Sequence, residues 1–107
     1  MKPTNANELQ SFRPYHPGEL LKEELEYREI KQKEFAKKFG LSYTMFNEVL
    51  NGKRPVSIEF ALLMEVALGI NTDLLVKMQT DYNMQTARKN ITLIEKLNEI
   101  RKIAAVF

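Results

Sequence analysis

A chain of 107 residues, 44% hydrophobic and 28% charged, is sized for one compact domain with room for an appended element. It holds no cysteine, which excludes disulfide stapling and thiolate metal sites, and no run approaches the ~18 apolar residues that span a bilayer. The net charge is only +2, but residues 19–29 hold five Glu against Lys22 and Arg28, whereas Lys31, Lys33, Lys37, Lys38, Lys53 and Arg54 face only Glu34 and Glu48 within residues 31–54, a local basic excess of the kind that phosphate neutralisation needs.

Residues 1–16 read as a flexible arm with Pro3 and Pro14 and few apolar groups. The arm lacks the apolar stretch of a secretory signal, so the expected compartment is the cytoplasm. Pro17 suits a first helical turn, and Leu20, Leu21 and Leu25 follow on one side with Glu19, Glu23 and Glu24 near the positive helix end. The first helix is therefore placed at about 17–27. A second, about 32–39, carries the stripe Phe35, Ala36, Phe39, and Gly40 stands in the left-handed position that ends it. Ser42 caps a third, about 43–50, with Met45, Phe46, Val49 and Leu50 turned inward, and Asn51-Gly52 stops it. Pro55 and Ser57 introduce a fourth, whose inner face is Phe60, Ala61, Met64, Ala67 and Leu68 and whose end is Gly69. Asn71 or Thr72 caps a fifth, with Asp73 in its first turn and Leu74, Leu75 and Met78 as apolar positions. A sixth, about 87–106, spaces Leu93, Leu97, Ile100, Ala104 and Phe107 by 4, 3, 4 and 3, with Ile94 and Ile103 widening the stripe. That stripe must be buried, on its own domain or on a partner. Every strong stretch has the helical period, so the fold class is all-α. The expected organisation is an arm at 1–16, a helical domain at 17–84 and an amphipathic helix at 85–107.

The spacing within residues 32–52 carries the function. Ala36 lies four residues after Gln32, Gly40 four after Ala36, and Phe46 six further on. Two helices that cross steeply over a short turn leave space for only a small side chain at the contact, and the turn needs a positive φ that glycine adopts without a Cβ penalty. Phe35, Phe39, Phe46 and Val49 or Leu50 would fill the wedge between them. This is the spacing of a helix-turn-helix.

These residues resemble the Xre/Cro-type helix-turn-helix family, with a five-helix domain over 17–82. More narrowly, three runs are similar to HigA-type plasmid-maintenance antitoxins: His16-Pro17-Gly18-Glu19-Leu20-Leu21-Lys22-Glu23-Glu24-Leu25, Gln32-Lys33-Glu34-Phe35-Ala36, and Asn47 through Ser57 with its Asn51-Gly52-Lys53-Arg54-Pro55 centre. Phe60-Ala61-Leu62, Ala67-Leu68-Gly69, Gln79 and Tyr82 add to the likeness. Leu74-Leu75 departs from it where an aromatic pair is usual, and residues beyond about 85 lie outside it.

The resemblance implies that the third helix enters the major groove. Ser42, Tyr43, Thr44, Asn47 and Glu48 are then the outward, base-contacting candidates. Asn47 suits adenine N6 and N7, Thr44 offers a methyl or a hydroxyl, and Glu48 can accept from cytosine N4. Tyr43 could stack on sugars or donate to a phosphate. Phosphate contacts fall to Gln32, by resemblance, and to Asn51, Lys53 and Arg54 after the recognition helix. The expected partners are double-stranded operator DNA, an inverted repeat read by a homodimer, and, by resemblance alone, a HigB-type toxin that cleaves mRNA on the ribosome. Helix five and the 87–106 stripe are candidate subunit surfaces. The arm, the tail and acidic helix one are candidate toxin surfaces. A free-standing Xre repressor without a toxin shares the fold and the DNA site, and a protein-interaction scaffold is a third reading. No enzyme is expected: His16 is the sole histidine, no phosphate loop or metal-ligand cluster stands out, and neither cofactor nor metal is called for. His16 reads as a cap or packing residue.

Overall fold

The computed structural model describes residues 14–107, so most of the arm expected at 1–16 lies outside the described residues. Six helices follow in order: α1 Pro17–Tyr27, α2 Gln32–Lys38, α3 Tyr43–Leu50, α4 Ile58–Leu68, α5 Thr72–Arg88 and α6 Ile91–Ala104. No strand occurs among the described residues, and the all-α expectation holds.

The helix ends have local causes. His16 caps α1: its Nδ1 accepts from the Gly18 N–H at 2.8 Å, while the Glu19 carboxylate accepts from the His16 N–H at 3.1 Å. That reciprocal pair is a capping box with histidine in the usual serine position. Ser42, Ser57, Asn71 and Asn90 cap α3 to α6 through side-chain oxygens that accept from the third residue on. Three ends fall elsewhere than expected. α6 stops at Ala104 rather than near 106. Phe39 is the C-cap of α2 rather than its last residue, and α6 begins at Ile91 rather than near 87. The late start of α6 arises because no glycine or proline interrupts the chain after Gly69, so α5 runs on to Arg88 until Asn90 offers a new cap.

Among the described residues thirteen hydrophobic ones form the core, including Leu21 and Leu25 of α1, Phe46, Val49 and Leu50 of α3, Phe60, Ala61 and Met64 of α4, and Leu75 of α5. A fully buried Leu or Met contributes about 1.5–3 kcal/mol. α1 packs on α3 and α5, α2 on α3, and α4 on α5. Of the apolar positions expected on α5, Leu75 is buried while Leu74 is exposed. α6 follows α5 across Lys89–Asn90 and buries none of its residues. Its stripe is therefore not covered by its own domain.

Candidate nucleic-acid interface

The α2–turn–α3 unit is built as the spacing predicts. Ala36 is buried, its carbonyl accepts from the Leu41 N–H at 2.8 Å, and Gly40 supplies the turn with φ +69°. Phe35 and Phe46 stack in the wedge with ring centroids 5.2 Å apart, and Phe46 meets Phe60 at 6.0 Å. Phe39 lies against Phe35 at 4.6 Å but stays at the rim, 42% exposed.

With one side of α3 locked by Phe46, Val49 and Leu50, the other side is set. Ser42, Tyr43 and Thr44 are exposed, whereas Asn47 and Glu48 are half-buried. The Ser42 hydroxyl oxygen accepts from the Met45 N–H at 3.2 Å, which leaves its proton to donate outward. Lys33 of α2 sits over the Tyr43 ring at 5.5 Å, a cation–π contact that brings positive charge to the edge of this face. Asn47 donates to the Gln32 side-chain carbonyl at 3.0 Å. Gln32 and Asn47, given separate tasks in the sequence reading, are thus one hydrogen-bonded unit.

The flanking residues also carry internal partners. Arg54 reaches back to Glu48, with Nη2 at 2.8 Å and Nε at 3.1 Å from one carboxylate oxygen. Asn51 donates to the Asn47 backbone carbonyl at 2.9 Å and accepts from Lys22 Nζ at 3.1 Å, so its amide covers the end of α3 and ties it to α1. Lys53 is exposed.

Comparison with known proteins places this architecture. The helix-turn-helix family profile matches residues 21–75, more than half of the chain. This chain belongs to the helix-turn-helix family, in its Xre-type branch. Two solved structures share the fold. A protein assigned as the antidote of a plasmid maintenance system from Nostoc punctiforme is 28% identical, covers 84% of this chain and 97% of its own, and superposes with TM-score 0.70. An addiction module antidote protein of the HigA family from Coxiella burnetii is 27% identical, covers 85% and 95%, and gives TM-score 0.67. The uncharacterized HTH-type transcriptional regulator YddM of Escherichia coli is 23% identical over 75 residues, 70% of this chain and 80% of that protein. The HigA-type likeness read from the sequence is therefore matched by structure, and the chain is a transcriptional regulator of Xre type.

Behind the exposed face of this Xre-type regulator, Gln79 and Gly18 have roles that the sequence did not disclose, while His16 caps and packs as expected. Gln79 of α5 is buried and accepts from the Val56 N–H at 2.8 Å while donating to Asn83 at 2.9 Å. It fixes the loop that carries Lys53 and Arg54. The His16 ring meets Tyr82 edge-on at 4.8 Å and packs on Gly52. Burial holds the His16 pKa below its usual value, with the Glu19 charge opposing. The neutral ring is also what the cap requires, since a protonated Nδ1 cannot accept. Gly18 allows α1 to touch α3: a Cβ there would stand 1.8 Å from the Val49 carbonyl oxygen. The available signal was a buried-type glutamine in an apolar register of α5 and a glycine in the first turn of α1.

Proposed function

We propose that this protein is a cytoplasmic, sequence-specific DNA-binding repressor and the antitoxin of a type II toxin–antitoxin pair, which neutralises a ribosome-dependent mRNA endonuclease of HigB type and represses its own operon. The observation that carries the DNA half is the exposed Ser42–Thr44 end of α3, locked from behind by its aromatic wedge and edged by Lys33, Lys53 and Arg54. Thr44 and Ser42 read base edges, Asn47 reads from its Gln32-bound position, and Glu48 is exchangeable between Arg54 and a base. Tyr43 contacts sugar or phosphate. Gln32, Asn51, Lys53 and Arg54 set the register on the backbone. A homodimer on an inverted repeat brings two such helices about one turn, roughly 34 Å, apart.

The antitoxin half is supported by the two antidote proteins that share the fold over more than four-fifths of the chain. The groove beside α1, about 490 Å³, has Glu19, Glu23 and Glu26 in its lining against the single Lys22, and offers a basic toxin a net acidic docking surface. The test joins both halves. Gel shifts at physiological salt with the chain's own upstream DNA should show binding that Thr44→Ala weakens. Expression of the neighbouring reading frame alone should arrest growth, and co-expression of this protein should restore it. Absence of any upstream binding would overturn the repressor reading, and growth arrest that this protein fails to relieve would overturn the antitoxin reading.

A further inference from the structure

Two apolar surfaces have no cover among the described residues. On α4, nine of eleven residues are apolar. Phe60, Ala61, Met64 and Leu68 face the core, yet Ile58, Leu62 and Val66, spaced four apart on the opposite side, are 62%, 49% and 89% exposed. A helix apolar on all sides is normally enclosed on all sides. On α6, Ile94, Leu97, Ile100 and Ile103 are all exposed.

From these we infer that in the homodimer proposed above the α6 stripe of one subunit seats across the outer face of the partner's α4. Three observations favour a second copy of this chain as the occupant. First, the lengths are comparable: Ile58 to Val66 spans about 12 Å of helix axis and Ile94 to Ile103 about 13.5 Å, at 1.5 Å per residue. Second, the charges are complementary. α4 carries Glu59 and Glu65 and no basic residue, whereas residues 88–107 carry Arg88, Lys89, Lys96, Arg101 and Lys102 against Glu95 and Glu99. Pairing α6 with another α6 would set two basic segments together and leave α4 bare. Third, twofold symmetry repeats the contact, so one kind of interface covers both surfaces in both subunits.

This inference rests on the dimer reading, and the experiment separates the two. The chain has no native cysteine, so Leu62→Cys and Leu97→Cys full-length variants, one tagged and one untagged, can be mixed and treated with a short bismaleimide. The expected result is a tagged–untagged product at least fivefold above either self-linked product, lost when Val66→Glu is added to the Leu62→Cys chain. Sedimentation of the unmodified protein is run alongside. A dimer in which Leu97→Cys links chiefly to itself, or in which nothing links, overturns this contact and leaves the dimer standing. A Leu62→Cys/Leu97→Cys double variant that links within one chain does the same in favour of a folded-back α6. A monomer at ~50 μM overturns both.

Discussion

The Asn47 side chain donates to Gln32 at 3.0 Å, so the recognition helix and the helix before it share one polar contact at the face proposed to meet DNA. A base-reading amide held in this way is oriented before the duplex arrives, and its partner is held for a phosphate. Substituting either residue should disturb the other. Gln32→Ala and Asn47→Ala should each lower operator affinity, and the double variant should fall short of the summed losses by about 1 kcal/mol, roughly fivefold. Fluorescence anisotropy on the four proteins of the cycle measures this. Strict additivity would mean that the two residues contribute to DNA binding independently of their hydrogen bond.

Glu48 and Arg54 form an exposed ion pair at 2.8 Å, with side chains 37% and 50% exposed. Such pairs add little to stability, so its effect should appear in DNA binding. Glu48→Gln removes a negative charge near the phosphates and releases the guanidinium. Affinity for any duplex should rise severalfold, and the slope of log K against log salt should steepen by about one unit. Arg54→Ala should flatten that slope by about one unit with little change in base preference. Titrations at four salt concentrations on operator and scrambled DNA decide both.

The parts legible in the sequence were those set by short-range geometry. α1 and α3 fall where Pro17, Ser42 and Asn51-Gly52 place them, because caps and breakers act within one turn of chain. The wedge was legible because Ala36, Gly40 and Phe46 satisfy a steric requirement that few residues meet. What escaped reading depends on long-range contacts. Asn47 looked like a free outward amide, and its partner is fifteen positions away. Gly18 stands in the sequence only as part of a family-like run, and its physical reason is Val49. The inner face of α4 is the one expected, with Phe60, Ala61, Met64 and Leu68 buried, but its outer stripe was not singled out, because naming the side turned to the core leaves the apolar residues on the other side unexamined.

Gly18→Ala should be among the most damaging single-methyl changes in this chain. The added Cβ would meet backbone, the Val49 carbonyl, at 1.8 Å, and a backbone neighbour cannot swing aside as a side chain can. α1 and α3 would have to separate, opening the core around Leu21 and Leu50. A loss of about 3 kcal/mol is expected, at the upper end for overpacking, in urea unfolding followed by circular dichroism. A loss under 1 kcal/mol would mean that α1 is free to shift.

His16 should make the fold sensitive to mild acid. Its pKa is lowered in the folded state by burial, with Glu19 acting in the opposite direction. The unfolded chain therefore takes up a proton first as pH falls through about 6.5, the ordinary histidine value. Stability contributed by the neutral ring is fully present above that pH and is lost as pH drops below it. Protonation also removes the Nδ1 acceptor of the Gly18 N–H. The urea midpoint should fall between pH 7.5 and 5.5, before the carboxylates titrate. His16→Asn keeps a cap without a titrating ring, and its midpoint should be nearly flat over that interval. An equal slope in both proteins would place the sensitive group elsewhere.

Glu29 is the one described non-glycine residue with positive φ, +57°. It follows the C-cap of α1, where the Ile30 N–H donates back to the Leu25 carbonyl at 2.8 Å, the closing bond of a left-handed helix end. A β-carbon in that conformation costs about 1–2 kcal/mol, and glycine would avoid most of it, less a fraction for the freedom glycine has when unfolded. The Glu29 side chain is exposed, so little contact is lost with it. Glu29→Gly should stabilise the protein by about 0.5–1 kcal/mol and raise the thermal midpoint by several degrees. Glu29→Ala, which keeps the β-carbon, should show no such gain; if alanine stabilised as much as glycine, the cause would be the removal of a negative charge from an acidic segment and not the backbone.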